Sequence, residues 1–472
     1  MIFSNLVRKN LFTIKNFVAS NRKPILIFTI TFLAELLVIF ILIRINGTEI
    51  FFRGDGQDYQ NLANNLINHQ MLAITPLPPY WPTSFRTPIY PFWLVFIYLI
   101  FRSYNAAIFI GAFVFALSAP FVYLIGREVF TEKIAVTAAF LSGLEPWALF
   151  QAGFITAEQI FMPIFLLSAY FLCLYIKYSK TSHIYFSSFI MGIAVLTRPA
   201  ALFFIAIFIF LALILELKHS FWRSIKVSTL IFFIFIATLT PWLVRNRVIL
   251  DSWQFSSASG IRSFADNIML QEYLGKTKPD EAIDIYEQAR QLVGAKSDYD
   301  IMTVENSQKI SQAALKEIKA NFGTFLKMHF EDMALFLFKN SYGNIFFDLG
   351  VSDSNIQSKI SNYIRWPEVK YLDTINLIRN SSSGAKILLI LTFFWPAATI
   401  LAVIGIFTTF KQNRYNLLFW FLILWIIYFP FLVAWGDISR YRLSIHAPFF
   451  LLVAAGFYGM KNLFLTLIIK ND

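Results

Sequence analysis

Two aspartates three residues apart open the chemistry of this chain. In Arg53-Gly54-Asp55-Gly56-Gln57-Asp58-Tyr59, Asp55 stands between glycines and Asp58 follows one helical turn later. A Gly-Asp-Gly turn exposes its carboxylate and lets a ligand approach the backbone. A carboxylate so placed can take the proton of an attacking hydroxyl. The run from Asp58 to Leu66 reads as a short amphipathic helix, with Asp58 near its start and Tyr59 beside it. The plainer reading gives Asp55 to a turn and Asp58 to a helix cap, which is ordinary work for aspartate. On local pattern alone the plainer reading outweighs the catalytic one.

The cations have their own pattern. Ser84-Phe85-Arg86-Thr87-Pro88-Ile89-Tyr90-Pro91 puts Arg86 before two prolines that stiffen the chain, with Tyr90 between them. Arginine offers a two-pronged fork to phosphate. It also snorkels at the ends of membrane helices, and for Arg86 alone the two readings balance. Arg198 lies in Leu196-Thr197-Arg198-Pro199, Arg245 in Trp242-Leu243-Val244-Arg245-Asn246-Arg247, and Arg440 and Arg442 flank Tyr441. Glu145 precedes Pro146-Trp147 inside an apolar stretch, and Glu158 begins another. Glu158 also fits the acidic first turn of a helix. The arginines can bind phosphate, pair with Asp55, Asp58, Glu145, Glu158 or Asp437, or do both.

Other chemistries find no support. The chain has no P-loop, GxGxxG, HExxH or GxSxG, so ATP-driven work and Rossmann-type nucleotide-sugar binding are unsupported. The single cysteine, Cys173, excludes an intramolecular disulfide and a cysteine zinc site. The five histidines are scattered without ligand spacing. No cofactor is implied with certainty, and a divalent metal is possible but unsupported. The basic residues are dispersed over loops and form no nucleic-acid stripe.

The elements that must position these residues are membrane helices. Hydrophobic residues make up 57% of the 472, and charged residues only 14% against about 25% in a soluble domain. Apolar runs lie at 24–43, 88–101, 106–125, 134–151, 159–176, 184–197, 200–216, 226–244, 387–409, 416–435 and 444–468. A crossing needs about 20 residues. The run at 88–101 is short and starts at Pro88, so we read it as half-embedded or re-entrant on the outer side, which leaves ten crossings with both termini inside. Lysine and arginine gather in the N-terminal arm and in the loops near 127–133, 177–180, 218–226, 411–414 and 461–470, which are cytoplasmic by the positive-inside rule. The net charge of 40 − 28 = +12 then belongs to an anionic leaflet. Asp55, Asp58, Arg86, Glu145, Glu158, Arg198, Arg245, Arg440 and Arg442 fall at the opposite, outer face. Charges at such depth are costly and mark function.

The expected architecture is all-α and polytopic. A cytoplasmic arm (1–23) leads into a transmembrane module (24–244) with a first outer loop (44–87). An outer, mainly helical insert (245–385) and C-terminal transmembrane helices (386–472) follow. Within the insert, 278–293 and 302–339 read as amphipathic helices, with Ala313, Ile318, Phe322, Phe325 and Phe330 near helical spacing. Ser381-Ser382-Ser383-Gly384 reads as a linker.

A family resemblance enters with these residues. Asp55-Gly56-x-x-Tyr59-x-x-x-Ala63-x-x-Leu66, followed by Arg86-Thr87-Pro88-x-Tyr90-Pro91, resembles the first outer loop of GT-C superfamily glycosyltransferases. Leu196-Thr197-Arg198-Pro199, Pro241-Trp242-x-x-Arg245-Asn246 and Arg440-Tyr441-Arg442 are similar to that group as well. The nearest types are bacterial protein-mannosyltransferases, aminoarabinose transferases and enzymes that glycosylate lipopolysaccharide core. The resemblance reaches to about residue 456, strongest in these islands. It implies a GT-C-like bundle of about 10–13 transmembrane helices in a bacterial inner membrane, with the active site on the extracytoplasmic face. It also implies a polyprenyl-phosphate-linked sugar donor, and inverting transfer to a hydroxyl on a glycolipid, polysaccharide or protein of the cell envelope. Asp55 matches the base, Arg86 the cation that holds the donor phosphate, and Glu158 a position near the acceptor. Relatives often carry an acid directly after the first aspartate, where this chain has Gly56. The second carboxylate is Asp58, so the division of labour between Asp55 and Asp58 stays open. Without the resemblance, a transporter or flippase for a lipid-linked or anionic solute explains the outer charges equally well. A non-catalytic scaffold is a third reading.

Overall fold

The computed structural model describes residues 21–276, 284–338, 394–413, 416–433 and 438–471, with a few positions between 342 and 393. Asp437 and the Ser381–Gly384 linker lie outside the described residues. The described chain is helical, as the apolar periodicity demands, because a backbone in lipid must satisfy its own hydrogen bonds.

Helix α1 spans Arg22–Asn46. After a 3₁₀ turn at Thr48–Phe52 comes α2, Asp55–His69. Helix α3 is Ile89–Phe101. α4, Asn105–Ala116, and α5, Ser118–Val129, run on as one apolar stretch. α6 is Glu132–Gly143 and α7 is Pro146–Gln151. α8 is Glu158–Tyr178 and α9 is Thr181–Thr197. A 3₁₀ turn, Pro199–Phe204, leads into α10, Ile205–Leu217, and α11 is Phe221–Leu250.

The insert contributes α12 (Ala258–Tyr273), α13 (Ile285–Val293), α14 (Asp298–Ile301), α15 (Val304–Ala320) and α16 (Phe322–Phe336). The C-terminal part holds α17 (Phe394–Asn413), α18 (Leu417–Val433), α19 (Ile438–Arg442) and α20 (His446–Asn471).

Among the described residues six helices are long and apolar enough to cross a membrane: Arg22–Asn46, Asn105–Val129, Glu158–Tyr178, Pro199–Leu217, Phe221–Leu250 and Arg440–Lys461. Four shorter apolar helices join them, α3 and α9 with the apolar parts of α17 and α18. The expected crossing at 134–151 is not one helix. Pro146 cannot extend α6, and Glu145 accepts a hydrogen bond from Ala148 N at 2.9 Å, capping α7 instead. In α3, Tyr90, Leu94 and Ile97 are buried while Phe92, Phe96 and Phe101 are exposed. It is half-embedded in the protein itself.

The bundle has two distinct ends. Lys23–Glu132 and Lys177–Glu128 ion pairs, at 2.7 and 2.8 Å, tie the starts of α1 and α6 and the ends of α5 and α8. The 3₁₀ turn, α2, the start of α8 and the end of α9 lie at the other end, where Ile155 N donates to Phe51 O at 2.9 Å.

The insert departs from expectation. The helix α12 had no clear signal, and the expected helix over 302–339 breaks at Asn321. That break resets the helical phase. Ile318 stays buried, whereas Phe322 and Phe330 are exposed.

Candidate active site

α2 starts three residues earlier than the sequence indicates. Gly54 takes φ +58°, a left-handed conformation that glycine adopts without strain, and the helix begins at Asp55. Both aspartates therefore occupy the first turn, where the helix dipole favours negative charge. Neither one caps the helix by a side-chain bond.

The loop that presents Arg86 is sewn down from three sides. Thr87 Oγ1 donates to Thr197 O at 2.9 Å, Ser256 Oγ to Phe85 O at 2.9 Å, and Arg245 Nη1 to Thr83 O at 2.9 Å. Asn65 Nδ2 donates to Ala73 O and Thr75 O at 2.7 and 2.9 Å, holding the earlier part of the loop against α2. The guanidinium of Arg86 thus arrives between the two aspartates. Its Nη2 lies 2.5 Å from Asp55 Oδ1 and 2.7 Å from Asp58 Oδ2. It also stands over the Tyr59 ring at 5.4 Å and the Phe85 ring at 4.9 Å. Its Nε has no hydrogen-bond partner among the described residues.

Arg440, from α19, bridges two carboxylates distant in sequence. Its Nη2 lies 2.7 Å from Asp55 Oδ2 and 2.9 Å from Glu158 Oε2. Glu158 is fully buried at the start of α8 and also pairs with Arg198. Arg198 covers the Tyr441 ring at 4.5 Å. Three carboxylates and three guanidiniums therefore interlock: Asp55, Asp58 and Glu158 with Arg86, Arg198 and Arg440. Below them Tyr59 and Tyr90 pack edge to face at 4.6 Å, and Tyr90 OH donates to Gln159 Oε1 at 2.6 Å.

The two aspartates differ electrostatically. Burial pushes the Asp55 carboxyl up, but the charges and hydrogen bonds of Arg440 and Arg86 outweigh it and hold Asp55 below the usual carboxylate range. Among the described residues Asp58 pairs with Arg86 alone. Burial dominates there, the neighbouring Asp55 adds to it, and Asp58 is raised. Burial also raises Tyr59, which stays a neutral phenol.

The remaining expected residues lie elsewhere. Arg245 stands over the Trp242 ring at 5.0 Å and holds the loop backbone. Glu145 and Arg442 belong to a second buried cluster. Glu145 accepts from Tyr342 OH and from Trp395 Nε1 at 3.3 Å, and Arg442 stacks on Trp395 at 3.9 Å. Several residues of the site had no clear sequence signal. Tyr286 and Tyr299 come from the insert, near enough for the Asp58 charge to act on both phenols. Gln159 and Tyr441 were legible only as polar neighbours of Glu158 and Arg440. Among the described residues no three His, Cys, Asp or Glu side chains group as metal ligands.

Residues 85–244 match the family described as dolichyl-phosphate-mannose-protein mannosyltransferase. No curated protein matches the chain. Similar solved structures include the apo oligosaccharyltransferase of Archaeoglobus fulgidus, at 14% identity and TM-score 0.47, covering 91% of this chain and 50% of that one. A second is AglB from Archaeoglobus fulgidus in complex with an inhibitory peptide and a dolichol-phosphate, at 13% and 0.45, covering 90% and 50%. A third is ArnT from Cupriavidus metallidurans bound to undecaprenyl phosphate, at 12% and 0.34, covering 89% and 76%. The chain spans half the length of the two archaeal chains. The family match falls on the segment that carries Arg86, Tyr90, Glu145, Glu158 and Arg198.

Proposed function

We propose that the chain moves a sugar from a polyprenyl-phosphate donor to an acceptor hydroxyl on a glycolipid, a polysaccharide or a protein. The reaction runs with inversion, on the extracytoplasmic face of a bacterial inner membrane. The observation that carries this reading is the interlocked set of Asp55, Asp58 and Glu158 with Arg86, Arg198 and Arg440 at one end of a membrane bundle.

In this reading the donor phosphate competes with the carboxylates for Arg86, whose Nε has no hydrogen-bond partner among the described residues, and for Arg440. The guanidiniums then face the oxygen that becomes the leaving group, where a fixed positive charge contributes most. The acceptor oxygen attacks the anomeric carbon. The new C–O bond forms as the bond from that carbon to the phosphate oxygen breaks, and its electron pair leaves with the phosphate. The acceptor proton passes to a carboxylate. Asp58, held by one guanidinium, is the stronger base of the pair. Asp55 sets the two arginines in place until the phosphate arrives.

The test uses the full chain in liposomes with a panel of polyprenyl-phosphate sugars and an envelope acceptor fraction, following release of free polyprenyl phosphate. Release is expected from at least one donor and is lost in Asp55→Asn. Full release by that variant overturns the assignment of Asp55. A folded protein that releases nothing but exchanges lipid-linked sugar across the bilayer overturns the transferase reading.

A further inference from the structure

A small cavity is lined by Thr31 and Glu35 of α1, Ser118 of α5, Ser142 of α6, Met162 of α8 and His446 of α20. Thr31 and Glu35 are each 1% exposed and His446 3%. Four polar atoms of this lining, Thr31 Oγ1, Glu35 Oε2, Ser118 Oγ and His446 Nε2, have no hydrogen-bond partner among the described residues. They come from three separate helices, so no local backbone geometry explains them. Buried polar atoms in a folded protein are nearly always satisfied. Apolar cavities stay dry, but a cavity with room for a water molecule and two to four polar partners holds one.

The lining carries hydroxyls, a carboxyl and an imidazole and no lysine or arginine, so it offers donors and acceptors to a neutral occupant. His446 is fixed by a hydrogen bond to the Ser142 backbone, and its Nε2 lies 4.0 Å from Glu145 Oε2.

We infer that this cavity is a water-binding site in which ordered water links the Glu35 carboxyl of α1 to the His446 imidazole of α20. The site touches α8, which carries Glu158, and the start of α20, which follows Arg440 of α19. Met162 sits one turn from Glu158, and His446 follows Arg440 and Arg442 by one to two turns. The water therefore seats these segments on α1 without depending on which reaction the network performs.

X-ray radiolytic footprinting tests it on the whole chain in nanodiscs. Bound water is converted to hydroxyl radical in place and oxidises its neighbours. Met162 and Met191 are both buried, at 3% and 0% exposure, and only Met162 lines the cavity. Met162 is expected to be oxidised several-fold faster than Met191. Incorporation of ¹⁸O from labelled water confirms the source, and the excess falls in a Glu35→Leu, Ser118→Ala variant. Equal, low oxidation of both methionines in the folded wild type overturns the inference. So does an excess that appears in choline chloride and disappears in sodium chloride, which would mark a cation site. The wild-type comparison stands alone where the variant does not fold.

Discussion

At the residue scale the pair Asp55 and Asp58 is asymmetric, and the asymmetry predicts opposite responses. Asp55 is held low by two guanidiniums, so its ionised form stabilises the folded state; that contribution is present above its unfolded pKa and lost as pH falls through the depressed value. Asp55→Asn is expected to lower stability at neutral pH by about 3 kcal/mol, because it leaves Arg86 and Arg440 under-compensated. Asp58 is raised, so its ionisation opposes folding, and stability is lost as pH rises through its folded value. Asp58→Asn is expected to keep or raise the unfolding temperature while reducing transfer at least about 100-fold. Thermal unfolding of both variants beside the transfer assay checks the signs. A drop of equal size in both would show that the arginines do not distinguish the two carboxylates. The wild-type rate should fall on the acid side at a pH above the ordinary aspartate range, and a pH–rate profile reads that limb directly.

Elements position these residues through a few unforgiving contacts. α17 and α20 cross at Gly405 and Gly456, where an added Cβ would meet the Leu452 and Leu401 carbonyl oxygens at 1.9 Å. Backbone cannot yield as a side-chain tip does. Gly405→Val is expected to cost upwards of about 3 kcal/mol. Gly323→Ala in α16, with nothing within 4 Å, should gain about 0.5–1 kcal/mol from helix propensity. Detergent-solubilised yield and thermal unfolding separate the two. Asn65 is the equivalent contact for the Arg86 loop. Asn65→Ala removes both donors to Ala73 O and Thr75 O, a loss of about 1–3 kcal/mol. Limited proteolysis should then cut within 71–82 faster than in the wild type, and an unchanged cleavage rate would show that the loop is held by other contacts.

For the whole molecule, the separation of lysine-rich and site-bearing ends is a statement about sidedness. Cys173 is fully buried, so the wild type offers little thiol background. Asn68→Cys, on the exposed end of α2, should react with a membrane-impermeant maleimide in intact cells. Lys218→Cys, in the loop after α10, should react only after permeabilisation. The reverse pattern would invert the topology and place the carboxylate–guanidinium network in the cytoplasm.

Hydropathy, proline punctuation and the dispersion of charge determined much of this protein before folding. They mark the apolar helices, the two kinds of loop, and the short segments holding Asp55, Asp58, Arg86, Glu158, Arg198 and Arg440. These features are legible because helix length, period and side preference are local properties of the chain. Which arginine meets which carboxylate was not legible. Arg440 and Glu158 are 282 residues apart, and only the packing of α19 against the start of α8 brings them together. The same packing sends Arg245 to a loop carbonyl and Arg442 to the face of Trp395, although both read from sequence as equals of Arg86. The break at Glu145 and the exposure of Phe322 and Phe330 were decided likewise. A cap or a phase shift of a few residues redirects a side chain completely, and its energy depends on neighbours that the local pattern does not contain.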